Sequence, residues 1–127
     1  MSDTIDTKFE TIGQGKYCGQ NTTAEYVIRD VSAWQDLWEQ TNSNNILQPT
    51  IPEIDFSKEM VLGAYLGQRR RGGYSVEILK VQERDNCLEV YIKESTPKPG
   101  MMTTMALTQP YHLVKTALTD KEVKFVR

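Results

Sequence analysis

The run M-V-L-G-A-Y-L at residues 60–66 is almost unbroken in apolar side chains, yet it is no longer than a strand. A strand without a polar face has to be covered on both sides, so the run predicts a central strand with further layers above and below it. Gly63 inside the run marks close packing or a bulge.

The rest of the chain supplies those layers. In C-L-E-V-Y-I-K (87–93), Leu88, Val90 and Ile92 share one face while Glu89, Tyr91 and Lys93 share the other, the alternation of a half-buried strand. Y-S-V-E-I-L-K-V (74–81) alternates and then slips: Tyr74, Val76 and Ile78 fall on one face, Leu79 and Val81 on the other, and a bulge near Ile78 reconciles them. Strands are also expected at 7–13 and 24–29, in M-M-T-T-M-A-L (101–107), in Y-H-L-V-K-T-A-L (111–118) and in V-K-F-V-R (123–127).

Helical period occurs in D-V-S-A-W-Q-D-L-W-E-Q (30–40). Trp34, Leu37 and Trp38 stand at i, i+3 and i+4 on one face of a helix of about eight to ten residues. Ser32 followed by Gln35 reads as a capping box, and Val31 before it as a hydrophobic staple. A helix this short has to be held by its apolar face, so packing on a sheet explains the indoles better than an aromatic binding patch does. The polar, proline-marked stretch 41–56 reads as an irregular crossover with a mobile Asn-rich part, and T-P-K-P-G (96–100) as a rigid exposed turn. The predicted fold is one domain over 1–127, mainly β (α+β): an antiparallel β-sandwich or partly open barrel of about eight strands with one short helix.

Bulk properties narrow the function. A net charge of −2 over 127 residues argues against nucleic acid. Residues 1–68 carry ten acids and four bases, and residues 69–127 seven acids and eleven bases, a polarity able to orient a partner. There is no run of apolar residues long enough to span a bilayer, so no membrane insertion is expected. The start M-S-D-T-I-D-T-K-F has no secretory pattern: the chain as given is expected to be cytoplasmic, or secreted or periplasmic if a leader was removed. Cys18 and Cys87 fit no zinc spacing and are expected to be free, partly buried thiols.

The search for chemistry centres on G-Q-R-R-R-G-G-Y-S-V-E-I (67–78). The residues after the glycine pair have the period of a strand, not of a helix, and the lysine and hydroxyl of a phosphate-binding loop are missing. Gly72 and Gly73 are better explained by positive φ at one or both in a tight connection, a hairpin tip whose Arg69, Arg70 and Arg71 are either solvated surface or a site for a carboxylate or phosphate of a partner. His112, the only histidine, would have to be the base or metal ligand of any such site, but it stands in Q-P-Y-H-L-V without a spaced second ligand. Neither nucleophile motif nor cofactor motif surrounds it, and no cofactor or metal is expected. Met60, Met101, Met102 and Met105 could line an adaptable pocket or fill an ordinary core.

In order along the chain, I-D-F-S-K-E-M-V-L, L-G-Q-R-R-R-G-G-Y-S-V-E-I, P-K-P-G and L-T-Q-P-Y-H-L-V-K resemble the C-terminal domain family of PrcB, the stability subunit of an outer-surface protease complex of an oral spirochaete. The resemblance is strongest over 55–126. It implies a non-catalytic module that associates with, stabilises or inhibits a protease or another secreted assembly, so the implied partner is another protein. The positions matching its motifs are Gly67, Arg69, Gly72, Gly73, Tyr74, Gln109, Pro110, Tyr111 and His112. Relatives usually carry a hydroxylic residue where this chain has Arg71, and commonly a secretory leader. A looser likeness to loop-presenting inhibitors of cysteine peptidases suggests R-R-G-G-Y and T-Q-P-Y-H as two tips of one wedge. The candidate protein-binding residues are therefore Arg69, Arg70, Arg71, Gly72, Gly73, Tyr74, Gln109, Pro110, Tyr111 and His112. A small-ligand or lipid-binding β domain, and a hydrolytic enzyme using His112, are the alternatives.

Overall fold

The computed structural model describes residues 4–43, 45–47 and 49–127; Asn44 and Gln48, within the crossover expected to be mobile, lie outside the described residues. Its elements are β1 (Ile5–Thr7), β2 (Phe9–Gly15), β3 (Ala24–Ile28), α1 (Val31–Thr41), β4 (Glu59–Tyr65), β5 (Ser75–Glu83), β6 (Cys87–Ser95), β7 (Tyr111–Ala117) and β8 (Glu122–Val126). They form two four-stranded sheets, ordered β1-β5-β6-β8 and β2-β7-β4-β3. All pairings are antiparallel except β6 with β8. The arrangement is a sandwich with a helix on one outer face; the sheets do not close into a barrel.

β4 explains the layering. Met60, Leu62 and Ala64 point between the sheets, where they meet Val76, Ile78, Val81, Leu88, Val90, Ile92 and Val114. Val61 and Tyr65 point the other way, into a second core with Leu113, Ile28, Cys18 and the helix residues Trp34 and Leu37. The apolar run is thus buried on both faces because a sheet covers one and α1 the other. Gly63 is there for close packing, not for a bulge: the β3–β4 and β4–β7 registers run through it, and a Cβ would lie 2.9 Å from Leu113 Cδ2.

The helix begins earlier than the capping box predicts. Asp30 is the N-cap, its carboxylate accepting the N–H of Ala33 at 2.8 Å, so Ser32 lies inside the first turn and Val31 is exposed. Aspartate caps as well as serine does, and the earlier cap lengthens the helix. The indole N–H groups of Trp34 and Trp38 donate to Pro52 O and Pro49 O, tying the crossover to the helix.

The bulge in β5 is present, with the register shifting between Ile78 and Lys80. Its effect is to return Val81 to the face of Val76 and Ile78, leaving Leu79 about half exposed. Eight strands occur among the described residues, but not the eight expected. The strand foreseen at 7–13 begins earlier and divides, pairing with β5 over Ile5–Thr7 and with β7 from Phe9, so the chain changes sheets at Lys8. Residues 101–107 form no strand, and their one sheet-like contact is the bridge of neighbouring Thr108 to Arg69.

Candidate functional site

The arginine loop is not a hairpin tip. β4 and β5 lie in different sheets, so residues 66–74 cross from one sheet to the other. The crossing needs two sharp reversals, and Gly67 (φ 87°) and Gly73 (φ 91°) provide them; Gly72 keeps negative φ. Backbone pairing with the 101–110 segment holds the loop. Arg69 N–H donates to Thr108 O at 2.8 Å, Thr108 N–H returns to Arg69 O at 2.9 Å, and Gly72 N–H donates to Thr104 O at 2.9 Å. The Thr108 hydroxyl adds a bond to Arg71 O. The two loops of the separated motifs are therefore neighbours.

Their tyrosines are not. Tyr74 packs at the edge of the inter-sheet core, with the guanidinium groups of Arg69 and Arg71 at 5.6 and 6.0 Å from its ring centroid. Tyr111 lies on the opposite face of its sheet, stacked on Tyr65 at 5.9 Å beside the helix. Burial raises its phenol's pKa, as it does more strongly for Tyr65, whose hydroxyl is bonded to that of Thr41. A wedge with both tyrosines at one tip is excluded by the alternation of β7, which sends Tyr111 and His112 to opposite faces.

The remaining matched positions carry the architecture. Gln109 is buried and links three segments: its Oε1 accepts Cys18 N–H, its Nε2 donates to Gln68 Oε1, and its backbone N–H donates to Lys16 O. Pro110 O accepts Leu66 N–H. His112 bridges the sheets from β7: Nδ1 accepts the N–H of Ile78, at the β5 bulge, at 2.9 Å, and Nε2 lies 2.8 Å from Thr11 Oγ1. With Nδ1 accepting, the neutral ring carries its proton on Nε2 and donates to the threonine. Burial lowers the imidazole pKa, a neighbouring Glu77 partly opposing it. A ring that already gives its proton to Thr11 is in the wrong tautomer to activate that hydroxyl as a nucleophile.

The cluster's electrostatics are one-sided. Residues 67–74 and 96–110 contain Arg69, Arg70, Arg71 and Lys98 and no acid, in a chain with seventeen acids. None of these four cations is in an ion pair among the described residues, although Arg84, Lys115, Lys121 and Arg127 all have carboxylate partners. Beside them Met102 is 97% exposed, Met105 86%, and Met101 and Leu107 about half. The three methionines do not share a pocket with Met60, which is in the core. The acid-free composition of 96–110 was the available signal for this surface; attention to the methionines as pocket lining missed it. A separate apolar cleft of about 440 Å³ lies between α1 and the crossover, lined chiefly by Val31, Trp34, Ile51, Pro52, Ile54 and Phe56. Among the described residues no group of three or more His, Cys, Asp or Glu converges to hold a metal, and no helix is long and apolar enough to cross a membrane.

Residues 60–117 match the model of the family described as PrcB C-terminal, the same family that the separated motifs resemble. The matched stretch runs from β4 through β7 and contains both loops of the cluster. No curated protein and no solved structure matches the chain significantly.

Proposed function

We propose, from the match of 60–117 to the PrcB C-terminal family, that this protein is a non-enzymatic interaction module that associates with a protease assembly and stabilises or inhibits it. The observation that carries the reading is the acid-free loop cluster, in which Arg69, Arg70, Arg71 and Lys98 are left without carboxylate partners among the described residues. Guanidinium groups in that state are prepared for carboxylates on another surface, and their planar fork makes two parallel hydrogen bonds to each. Backbone pins at Thr104 and Thr108 fix the loop before a partner arrives, which lowers the ordering cost of binding.

The test is capture from extracts of the native host, with the wild-type protein beside Arg70→Glu. Arg70 is exposed and in no ion pair among the described residues, so the variant should melt with the wild type. A protease or its associated subunit retained by wild type and lost by the variant is expected. Recovery of the same proteins by both would overturn the loop as the recognition surface.

A second reading, a small-ligand or lipid-binding domain, has the cleft against α1 in its favour. Hydrolysis through His112 is opposed by the ring's tautomer and burial.

A further inference from the structure

M-M-T-T-M-A-L combines exposed methionines with β-branched threonines, and the fold gives it no strand neighbour among the described residues. The segment is nevertheless held in place. Met101 N–H donates to Lys98 O at its start, Thr104 O accepts from Gly72 in its middle, and Thr108 pairs with Arg69 at its end. Between these pins, the N–H groups of Met102 through Leu107 donate to no backbone carbonyl among the described residues. Met102 and Met105 stand almost fully in water. Unbranched thioether side chains adapt to many apolar shapes, which suits them to a recognition surface better than to a solvated loop.

Resting on the reading of these loops as an interaction surface, we propose that residues 101–107 are the docking strip for an extended acidic segment of the partner protein. That segment would add its backbone to the unpaired N–H groups, set apolar side chains on Met101, Met102 and Met105, and place carboxylates against Arg69, Arg70, Arg71 and Lys98. Charge complementarity selects the sign, because the loop segments 67–74 and 96–110 hold cations and no acid. The row of unpaired donors selects a polypeptide, since a bilayer can neutralise arginines and accept methionines but offers no ordered row of carbonyls. Tyr74, the aromatic ring of the cluster, already lies under Arg69 and Arg71, which removes the stacking platform a nucleic acid base would use.

The probe is a capped synthetic peptide alternating Glu and Leu, titrated into isotope-labelled protein and followed by NMR. A Lys-Leu peptide, a Glu-Ser peptide and phosphatidylglycerol vesicles serve as competing arms. The expected result is binding of Glu-Leu alone, with the Met101, Met102 and Met105 methyl signals shifting and the 102–107 amides gaining protection from exchange. The variant Met101→Thr/Met102→Thr/Met105→Thr should keep the wild-type fold and bind about tenfold or more weakly. Equal binding of Lys-Leu or Glu-Ser, unchanged affinity of the methionine variant, or vesicles binding in place of the peptide would each overturn the strip. The two levels separate in the capture experiment. A partner lost by Arg70→Glu and kept by the methionine variant removes the strip and leaves the interaction module; a partner indifferent to both removes the module reading itself.

Discussion

His112→Leu should both destabilise the protein and erase part of its pH dependence. The ring is 3% exposed and satisfies the buried Ile78 N–H at the bulge through Nδ1, while Nε2 bonds Thr11. Leucine fills a similar volume but accepts nothing, so the Ile78 N–H is orphaned and the threonine bond is lost, at a cost of about 2–4 kcal/mol. The sign of the pH effect comes from the depressed pKa. The unfolded chain takes up a proton near the ordinary value of 6.5, whereas the folded imidazole resists it, because burial disfavours the charge and a proton on Nδ1 would face the Ile78 N–H. The wild-type contribution is therefore complete above about pH 6.5 and is lost as pH falls towards the folded pKa, at up to about 1.4 kcal/mol per pH unit. His112 is the only histidine, and most carboxylates titrate lower, so the window just below pH 6.5 belongs largely to it. Urea unfolding of both proteins from about pH 8 to about pH 5.5 should give curves far apart at the top and converging downwards. Parallel curves would show that the ring titrates alike in the folded and unfolded chain, which would refute the bridging geometry.

Gly73→Ala should cost more than the ordinary penalty of about 1 kcal/mol for positive φ, because the added Cβ would lie 2.8 Å from Pro97 Cγ; denaturant titration measures it, and an unchanged midpoint would mean the loop rearranges freely. Asp30→Ala removes the N-cap bond to Ala33 and should lower stability by about 1 kcal/mol in the same assay, while Ser32→Ala should change little. Burial pushes the Cys18 thiol above its usual range, so a maleimide or disulfide reagent at mildly alkaline pH should label it slowly in the native protein and readily in urea. Rapid native labelling would indicate that the 16–20 loop opens.

The layering was legible because side-chain period reports burial directly: an apolar run for β4, clean alternation for β6, a slipped alternation for the β5 bulge. Pairing was not. Nothing in the residues around Lys8 announces a change of sheet, and nothing in 66–74 distinguishes a hairpin from a crossing between sheets, since both need glycine at the bends. The helix boundary missed by two residues because serine and aspartate are competing caps of similar strength. For the site, the structure brings the two loops singled out in the sequence side by side and divides their residues by role. Arg70 and Arg71 are exposed and Arg69 is half-buried against Tyr74, whereas Gln109, Pro110 and His112 hold segments together. That division depends on contacts between residues some forty positions apart, such as Gln109 with Gln68, which no local pattern encodes.

The two long borders of the sandwich differ in kind. On one, the chain itself passes from sheet to sheet at Lys8, a covalent spine between β1 and β2. On the other, β3 and β8 are clasped by side chains: Arg29 reaches Thr119 O and Lys121 O, and Arg127 joins Glu25, Glu94 and Tyr65 O. The molecule is bound like a book, and its pages part from the fore-edge. Parting β8 from β3 breaks only side-chain bonds, so large-scale breathing should begin there while the β1–β2 margin, joined through Lys8, stays shut.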